Sequence, residues 1–139
     1  EIQNEESRRK NKKKILIVDD DGTMLRTMKS WLSEKYQVYM VNSGMAAITF
    51  LTKNQVDLIL LDYEMPITSG PQVLEMLRTD PDMKSIPVMF LTIKADKHSV
   101  LTGLSLKPES YLLKTMPKKD LLKNIDDFFM KQRMGELGT

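Results

Sequence analysis

Short apolar runs alternate along the chain with segments whose apolar residues recur at helical spacing. The apolar runs predict strands over residues 14–19, 37–42, 57–62, 86–92 and 110–114. Helical periodicity predicts helices over residues 23–34, 44–54, 70–79, around 96–105, and after Pro117. Apolar strands that alternate with helices are typical of a parallel sheet covered on both faces. The pattern therefore predicts an α/β domain with a doubly wound, five-stranded parallel sheet and right-handed crossovers.

Composition narrows the class of protein. The 139 residues suit one domain with one core. The sequence contains no cysteine, which excludes disulfides and thiolate chemistry, and its one histidine, His98, excludes a multi-histidine metal site. No apolar stretch approaches the roughly 18 residues needed to cross a bilayer, and the charged N-terminus does not resemble a signal peptide. We therefore expect a cytoplasmic protein without a membrane segment.

Basic residues are concentrated at the N-terminus, where residues 1–14 hold six of them against three acids. We interpret this run as a solvated linker, and we expect nucleic-acid binding only if an output domain outside this sequence provides it. The predicted organisation is a basic tail over residues 1–13, a domain over 14–131 and a C-terminal tail over 132–139. Whether the chain is a stand-alone regulator or part of a larger protein, such as a hybrid sensor kinase, stays open.

Acidic and polar residues occupy the ends of the predicted strands. The first strand ends in Asp19 and Asp20, the third in Asp62, the fourth in Thr92 and the fifth in Lys114. Doubly wound sheets bind their ligands beyond the carboxyl ends of the strands. Carboxylates converging there repel one another by about 3 kcal/mol per pair at roughly 5 Å and an effective dielectric of about 20. A hard cation such as Mg²⁺, which prefers oxygen ligands, would relieve this repulsion.

A dianionic phosphoryl group would fit between such a metal, the Lys114 ammonium and the Thr92 hydroxyl, with Asp62 as its nucleophilic acceptor. The sequence contains no GxxxxGK[ST] phosphate-binding loop, and the acidic turn "DDDGT" would repel a nucleotide phosphate. Within that turn, Asp21 is interpreted as a helix N-cap rather than a third metal ligand.

Four motifs then point to a family. Over about residues 14–131 the chain contains, in this order, the motifs "ILIVDDD", "LILLDYEMPITSG", "VMFLT" and "YLLK". Together they resemble the receiver domain of two-component response regulators, of the chemotaxis-regulator type. Each motif is weak alone, and their order and spacing make the resemblance specific. It implies a flavodoxin-like fold with strand order 2-1-3-4-5 and five helices. It also implies a signalling domain, not a metabolic enzyme, that accepts a phosphoryl group from a histidine kinase or phosphotransfer domain and assists only its own phosphorylation and dephosphorylation.

The resemblance assigns roles to individual residues. Asp62 resembles the phosphorylated aspartate, Thr92 the switch hydroxyl, Lys114 the phosphoryl-pairing lysine and Tyr111 the switch aromatic. The implied Mg²⁺ ligands are Asp20 directly, Asp19 mainly through water, Asp62, and the backbone carbonyl of Glu64. The face formed by the fourth helix, the fifth strand and the fifth helix is implied to contact a downstream partner.

Two residues depart from the family pattern. Thr115 follows Lys114, where the family usually has a cis proline, and a non-proline cis bond costs about 3–4 kcal/mol. Either the folded protein contains this cis bond despite its free-energy cost, or the loop has a different conformation. The conformation of the loop affects whether the Lys114 side chain reaches the acids. Ile93 follows Thr92, where the family usually has Ala or Gly, so we expect small phosphodonors to be slowed. Unchanged uptake of a small donor by Ile93→Ala would contradict this. Gly103 predicts a short or mobile fourth helix.

Two alternatives stay open. Thr115 and Ile93 allow a pseudo-receiver, in which the same fold serves only for docking. An aspartate-nucleophile phosphatase of the haloacid dehalogenase type is disfavoured, because that group has its Asp-x-Asp after the first strand and usually carries a cap domain. The cognate kinase, the output and the oligomeric state are not predicted by the sequence.

Overall fold

Strands and helices alternate through the computed structural model of the protein, which describes residues 12–93 and 107–137. The strands are β1 (Lys14–Val18), β2 (Gln37–Val41), β3 (Leu58–Asp62), β4 (Val88–Thr92) and β5 (Ser110–Leu113). The helices are α1 (Gly22–Leu32), α2 (Gly44–Leu51), α3 (Gly70–Thr79) and α4 (Lys118–Leu137). All five predicted strands are confirmed. The described residues hold four of the five predicted helices; the one expected around 96–105, with His98 and Gly103, lies outside them.

The five strands form one parallel sheet in the order β2-β1-β3-β4-β5, which confirms the predicted topology. The register places Asp62 beside Leu91, and Thr92 beside Leu113. Because the strands are parallel, their last residues all fall on one side of the sheet, which we call the carboxyl edge. The polar residues that end the strands are therefore gathered at this edge.

Two apolar layers cover the sheet, as alternation along the strands requires. On one face, Ile15 and Ile17 of β1 belong to a buried cluster with residues of α1 and α4. On the other face, Leu16 and Val18 belong to a cluster with residues of α2 and α3. β3 and β4 are buried along their whole length, so their final residues are held by packed core on both sides.

Side-chain caps define where the helices begin. Asp21 accepts hydrogen bonds from the backbone of Thr23 at 2.9 Å and Met24 at 3.4 Å, which confirms the N-cap prediction for α1. α3 begins with a reciprocal capping box between Ser69 and Gln72. These caps satisfy backbone N–H groups at the start of each helix and thereby set where the loops from the carboxyl edge end.

The last helix, α4, runs to Leu137, beyond the predicted end of the domain at residue 131. Leu121, Ile125 and Phe129 form its buried side. Within the residues that the structure describes, no helix combines the length and the apolar character that a membrane span requires.

Candidate functional site

Three carboxylates converge at the carboxyl edge. Asp19, Asp20 and Asp62 each offer one oxygen, and these oxygens lie within 4.8 Å of one another. Asp19 is fully buried and Asp62 is 3% exposed, whereas Asp20 is exposed. The position of Asp62 follows from β3, whose buried apolar run ends in this residue. The structure thus brings together the acids that the sequence placed at the ends of two neighbouring strands.

Lys114 bridges the two buried acids. Its Nζ lies 2.8 Å from Asp19 Oδ2 and 3.1 Å from Asp62 Oδ1, and its side chain is only 10% exposed. The Lys114 backbone N–H donates to Thr92 O at 2.8 Å, which ties the residue to the end of β4. No cis peptide bond occurs among the described residues, so Thr115 follows Lys114 through a trans bond. The ammonium reaches the acids without the cis bond usual in the family.

The two oxygens of Asp19 have different surroundings. Oδ1 accepts a hydrogen bond from the Asp21 backbone N–H at 2.9 Å, so the turn that caps α1 also orients this carboxylate. Oδ2 is buried and has the ionic contact with Lys114, but no aligned hydrogen bond. A buried carboxylate oxygen with unused acceptor capacity is costly unless another partner, such as a cation, supplies the missing interaction.

The site holds more negative than positive charge. Burial, and then the charge of Asp19, raise the pKa of Asp62 to about 7, although Lys114 acts in the opposite direction. Burial alone would lower the pKa of Lys114, but Asp19 and Asp62 raise it above its ordinary value. The ammonium therefore stays charged while the acids compete for it, and one ammonium does not fully offset the repulsion between them.

An open recess of about 370 Å³ lies over Asp62 and is lined by Asp20, Asp21, Asp62, Glu64, Thr92, Ile93 and Lys114. Thr92 is 7% exposed, and the Glu64 side chain is exposed. The Glu64 backbone N–H donates to Asp62 Oδ1 at 3.3 Å, which helps to hold that carboxylate. Ile93 also lines the recess and is 65% exposed, so most of its surface is in solvent. The access effect of Ile93 stays a prediction.

Tyr111 belongs to an aromatic group beside the site. Its ring centroid lies 5.3 Å from that of Phe90 and 6.5 Å from that of Tyr63. Tyr63 directly follows Asp62, and its ring also contacts Phe90 with centroids 5.1 Å apart. Burial raises the pKa of the Tyr111 hydroxyl. Sequence reasoning singled out Tyr111 and missed Tyr63, although an aromatic residue next to Asp62 was a visible signal.

Gly70, the first residue of α3, lies against the end of β3. A Cβ on this residue would lie 2.4 Å from the Asp62 backbone oxygen and 2.9 Å from the Tyr63 Cα. Its backbone N–H donates to Tyr63 O at 2.9 Å. Only glycine allows the start of α3 to approach the end of β3 so closely. No pattern in the sequence distinguishes this glycine from one required by a turn.

The donor set fits a hard divalent cation. All the converging ligand atoms are carboxylate oxygens, one acid is exposed to solvent, and buried Asp19 Oδ2 lacks an aligned hydrogen bond. Oxygen ligands together with access for water are what Mg²⁺ prefers. The arrangement can also hold a phosphoryl group over Asp62, because an ammonium and a threonine side chain line the same recess.

Comparison with known proteins agrees with this geometry. The family model described as "Response regulator receiver domain" matches residues 15–126. A receiver domain of a signal transduction histidine kinase from Syntrophus aciditrophicus is 32% identical, with a TM-score of 0.76 and coverage of 83% of this chain and 88% of that one. The Mn²⁺-bound form of response regulator Rcp1 is 31% identical, with a TM-score of 0.70 and coverage of 81% and 88%.

One relative is much longer than this chain. A probable cyclic di-GMP phosphodiesterase of Vibrio cholerae is 31% identical over 138 residues, which cover 86% of this chain but only 31% of that protein. The similarity therefore concerns less than a third of that protein's length. The match of the family model over most of the chain and the shared fold support one conclusion: the chain belongs to the response regulator receiver domains, which are signalling modules of two-component systems.

Proposed function

We propose that Asp62 accepts a phosphoryl group from a phosphohistidine of a histidine kinase or phosphotransfer domain, and that this modification switches the domain between two signalling states. The observation that carries the proposal is the position of Asp62. Its carboxylate is buried at the base of a recess, beside two further acids and 3.1 Å from the Lys114 ammonium. A purely structural acid would not need this surplus of negative charge.

The chemistry requires a nucleophile and stabilisation of charge. A carboxylate oxygen of Asp62 attacks phosphorus, an O–P bond forms, and the P–N bond to the donor imidazole breaks with its electron pair leaving on nitrogen. Lys114 is positioned to donate from its ammonium to the phosphoryl oxygens, because it already contacts Asp62 Oδ1. Thr92, on the neighbouring strand, offers a hydroxyl to the same group.

Mg²⁺ would be held by Asp19, Asp20, Asp62 and the Glu64 backbone carbonyl. When bound, the ion supplies positive charge that offsets the repulsion between the acids and the incoming phosphoryl oxygens. The Asp21 backbone N–H keeps Asp19 oriented through its bond to Oδ1. The need for a divalent cation is thus a consequence of how many carboxylates the fold places together.

Phosphorylation adds about two negative charges and three strong acceptors at Asp62. Thr92 and Lys114 are the residues that would move toward these acceptors, and Tyr111 would then change its packing against Phe90. The altered face would be formed by the helix predicted around residues 96–105, by β5 and by α4. A downstream partner would bind to this face. The proposed functional unit spans residues 14–131, with the N-terminal basic segment as a linker.

The decisive experiment is a titration with beryllofluoride, a small phosphoryl mimic, with and without Mg²⁺, monitored by backbone NMR. We expect Mg²⁺-dependent shifts at Asp62, Thr92 and Tyr111 in the wild-type protein and none in Asp62→Asn. Long incubation allows for slow entry past Ile93. Absence of any response to Mg²⁺ or to the mimic would sink the phosphoacceptor proposal and favour a pseudo-receiver used only for docking. Turnover of a phosphate monoester would point instead to a phosphatase.

A further inference from the structure

A groove of about 630 Å³ lies at the end of the sheet opposite Asp62. We call this end the amino edge, because the parallel strands begin there. The apolar part of the groove lining comes from Tyr36, Phe129 and Met130. The rings of Tyr36 and Phe129 pack with centroids 5.4 Å apart and are almost buried, whereas Met130 is 48% exposed. The groove therefore offers one accessible apolar side chain beside a closed aromatic pair.

Basic side chains dominate the rest of the lining. They are Lys12, Lys13, Lys35 and Arg133, and Asp126 is the only acid that lines the groove in the described part of the chain. Asp126 already has a partner, because Lys35 Nζ lies 3.0 Å from its Oδ2. Among the described residues, no carboxylate lies within ion-pair distance of the other three basic side chains. Their charge is therefore available to a ligand.

Backbone contacts hold the basic segment before β1 at the amino edge. The Gln37 N–H donates to Lys13 O at 2.9 Å, which joins this segment to the start of β2. Lys12 Nζ donates to Ser33 O at 3.4 Å, at the end of α1. Both lysines are half-buried, so their aliphatic stems contribute to the wall of the groove while their ammonium groups stay near solvent.

The other wall of the groove is one side of α4. Asp126, Phe129, Met130 and Arg133 recur at helical spacing, so they share that side. Arg133 is exposed. Burial raises the pKa of the Tyr36 hydroxyl, and the charge of Arg133 acts against this rise, which agrees with a guanidinium close to the aromatic pair. The helix thus places an apolar contact and a cation side by side.

The lining indicates the chemistry of the occupant. An accessible apolar side chain surrounded by unpaired cations is complementary to an apolar side chain flanked by carboxylates. A single-stranded nucleic acid also carries negative charge, but such ligands stack their bases on exposed aromatic faces. Tyr36 and Phe129 are only 7% and 6% exposed, so they offer no such face. An acidic segment of a protein therefore fits the groove better than a nucleic acid does.

We propose that the amino-edge groove binds an acidic segment of a partner protein. An apolar side chain of that segment packs on Met130, and its carboxylates pair with Arg133 and with Lys12 and Lys13. The groove is at the far end of the sheet from Asp62, so the bound segment leaves the recess over Asp62 open. The contact thus holds the domain to its partner whether or not Asp62 is phosphorylated. It does not depend on the proposed phosphoacceptor function.

The test is fluorescence polarisation with the full chain and a panel of short fluorescein-labelled peptides, each with a central phenylalanine or leucine flanked by glutamates. In matched peptides, glutamine replaces glutamate or serine replaces the apolar residue. A labelled single-stranded oligonucleotide is the competing probe.

Four variants locate the binding site. Arg133→Glu and Met130→Ala alter the groove. Lys131→Glu makes the same charge change on an exposed residue of α4 that does not line the groove. Met45→Ala removes a methionine that is 56% exposed on α2. Thermal melting of each variant checks that the fold is retained.

We expect saturable binding of at least one acidic peptide to the wild-type protein. Arg133→Glu should weaken it about 10-fold or more, because it places a like charge against the peptide. Met130→Ala should weaken it about 5-fold through lost apolar contact. Lys131→Glu and Met45→Ala should stay within about 2-fold of wild type at about 0.15 M salt, where screening limits distant charges. Neither matched peptide should saturate, and beryllofluoride with Mg²⁺ should leave the Kd unchanged.

Several results would overturn the proposal. Absence of saturable binding by every acidic peptide would do so, as would equal losses in Arg133→Glu and Lys131→Glu, which would indicate unspecific attraction between charges. Tighter binding of the oligonucleotide that Arg133→Glu abolishes would make a nucleic acid the ligand. A wild-type dimer that Arg133→Glu converts to a monomer in sedimentation would make a second copy the occupant. Release of the peptide by beryllofluoride would contradict a contact independent of Asp62.

Discussion

Two clusters of charged side chains occupy opposite ends of this molecule. At the carboxyl edge, Lys114 bridges buried Asp19 and Asp62 at 2.8 and 3.1 Å. At the other end, where β2 begins, Lys35 lies 3.0 Å from Asp126 of α4, and the Tyr36 hydroxyl donates to the same carboxylate. Both clusters join residues far apart in sequence, but their charge balance and burial differ.

The second cluster is balanced. Asp126 has one cation and one neutral donor, and both members of its ion pair have access to solvent, with side chains 65% and 29% exposed. Tyr36 packs against Phe129 with ring centroids 5.4 Å apart, and burial followed by the bond to Asp126 raises the pKa of its hydroxyl. Folding alone explains this arrangement. The carboxyl-edge cluster has three acids against one ammonium, and this surplus of negative charge fits the proposed divalent cation.

The two clusters should differ most in how they affect the pH dependence of stability when no metal is bound. Folded Asp62 keeps its proton to about pH 7, against an ordinary value of 3.8. Unfolding therefore releases a proton between these values, so the contribution of Asp62 to stability is greatest below about pH 4 and is lost as the pH rises through 7. We expect a loss of about 2–4 kcal/mol in the free energy of unfolding, measured with urea. Mg²⁺ should restore much of it at pH 8.

Two Asn variants provide matched controls. Asp62→Asn should lose this pH dependence and be more stable than wild type at pH 8 without metal. Asp126→Asn should change stability in the opposite direction, because it removes a carboxylate that has a cation and a hydroxyl donor. If both substitutions destabilise the metal-free protein equally, the two clusters do not differ in the way the structure indicates.

The second contrast comes from making one substitution in both clusters. Lys114→Met leaves Asp19 and Asp62 without their cation, and we expect a loss of about 2–3 kcal/mol at pH 8 without metal. Lys35→Met should cost at most about 0.5 kcal/mol, because this ammonium is mostly solvated. Chemical denaturation measures both values, and Mg²⁺ should rescue only Lys114→Met. Equal losses, or equal rescue, would remove the distinction.

The third contrast uses Tyr36→Phe to test whether the two clusters are independent of each other. It removes the hydroxyl that donates to Asp126 and should cost about 1 kcal/mol. The rate of phosphorylation by acetyl phosphate should not change, since Tyr36 lies at the far end of the sheet. Thermal melting and a phosphorylation time course would measure the two properties. A slower phosphorylation rate in this variant would show that the clusters are coupled.

The sequence determined the sheet, its order through the family resemblance, and the residues at its carboxyl edge. Apolar runs ending in Asp62 and Thr92 required buried strands, and a buried strand holds its last residue at the edge. The N-cap role of Asp21 was equally local, because a cap depends on backbone N–H groups two and three residues away. Features that depend on spacing within one element are visible in the order of residues.

Tertiary structure decided the rest. Periodicity could not predict that Lys114 contacts both acids while its bond to Thr115 is trans, or that Gly70 touches the backbone of Asp62. It also could not predict that Ile67 has a positive φ. The pairing of Tyr36 with Asp126 likewise joins residues separated by most of the chain. The physical reason is that periodicity reports which side of an element is buried. Distances between elements depend on how whole layers pack, and the chemistry of this site depends on those distances.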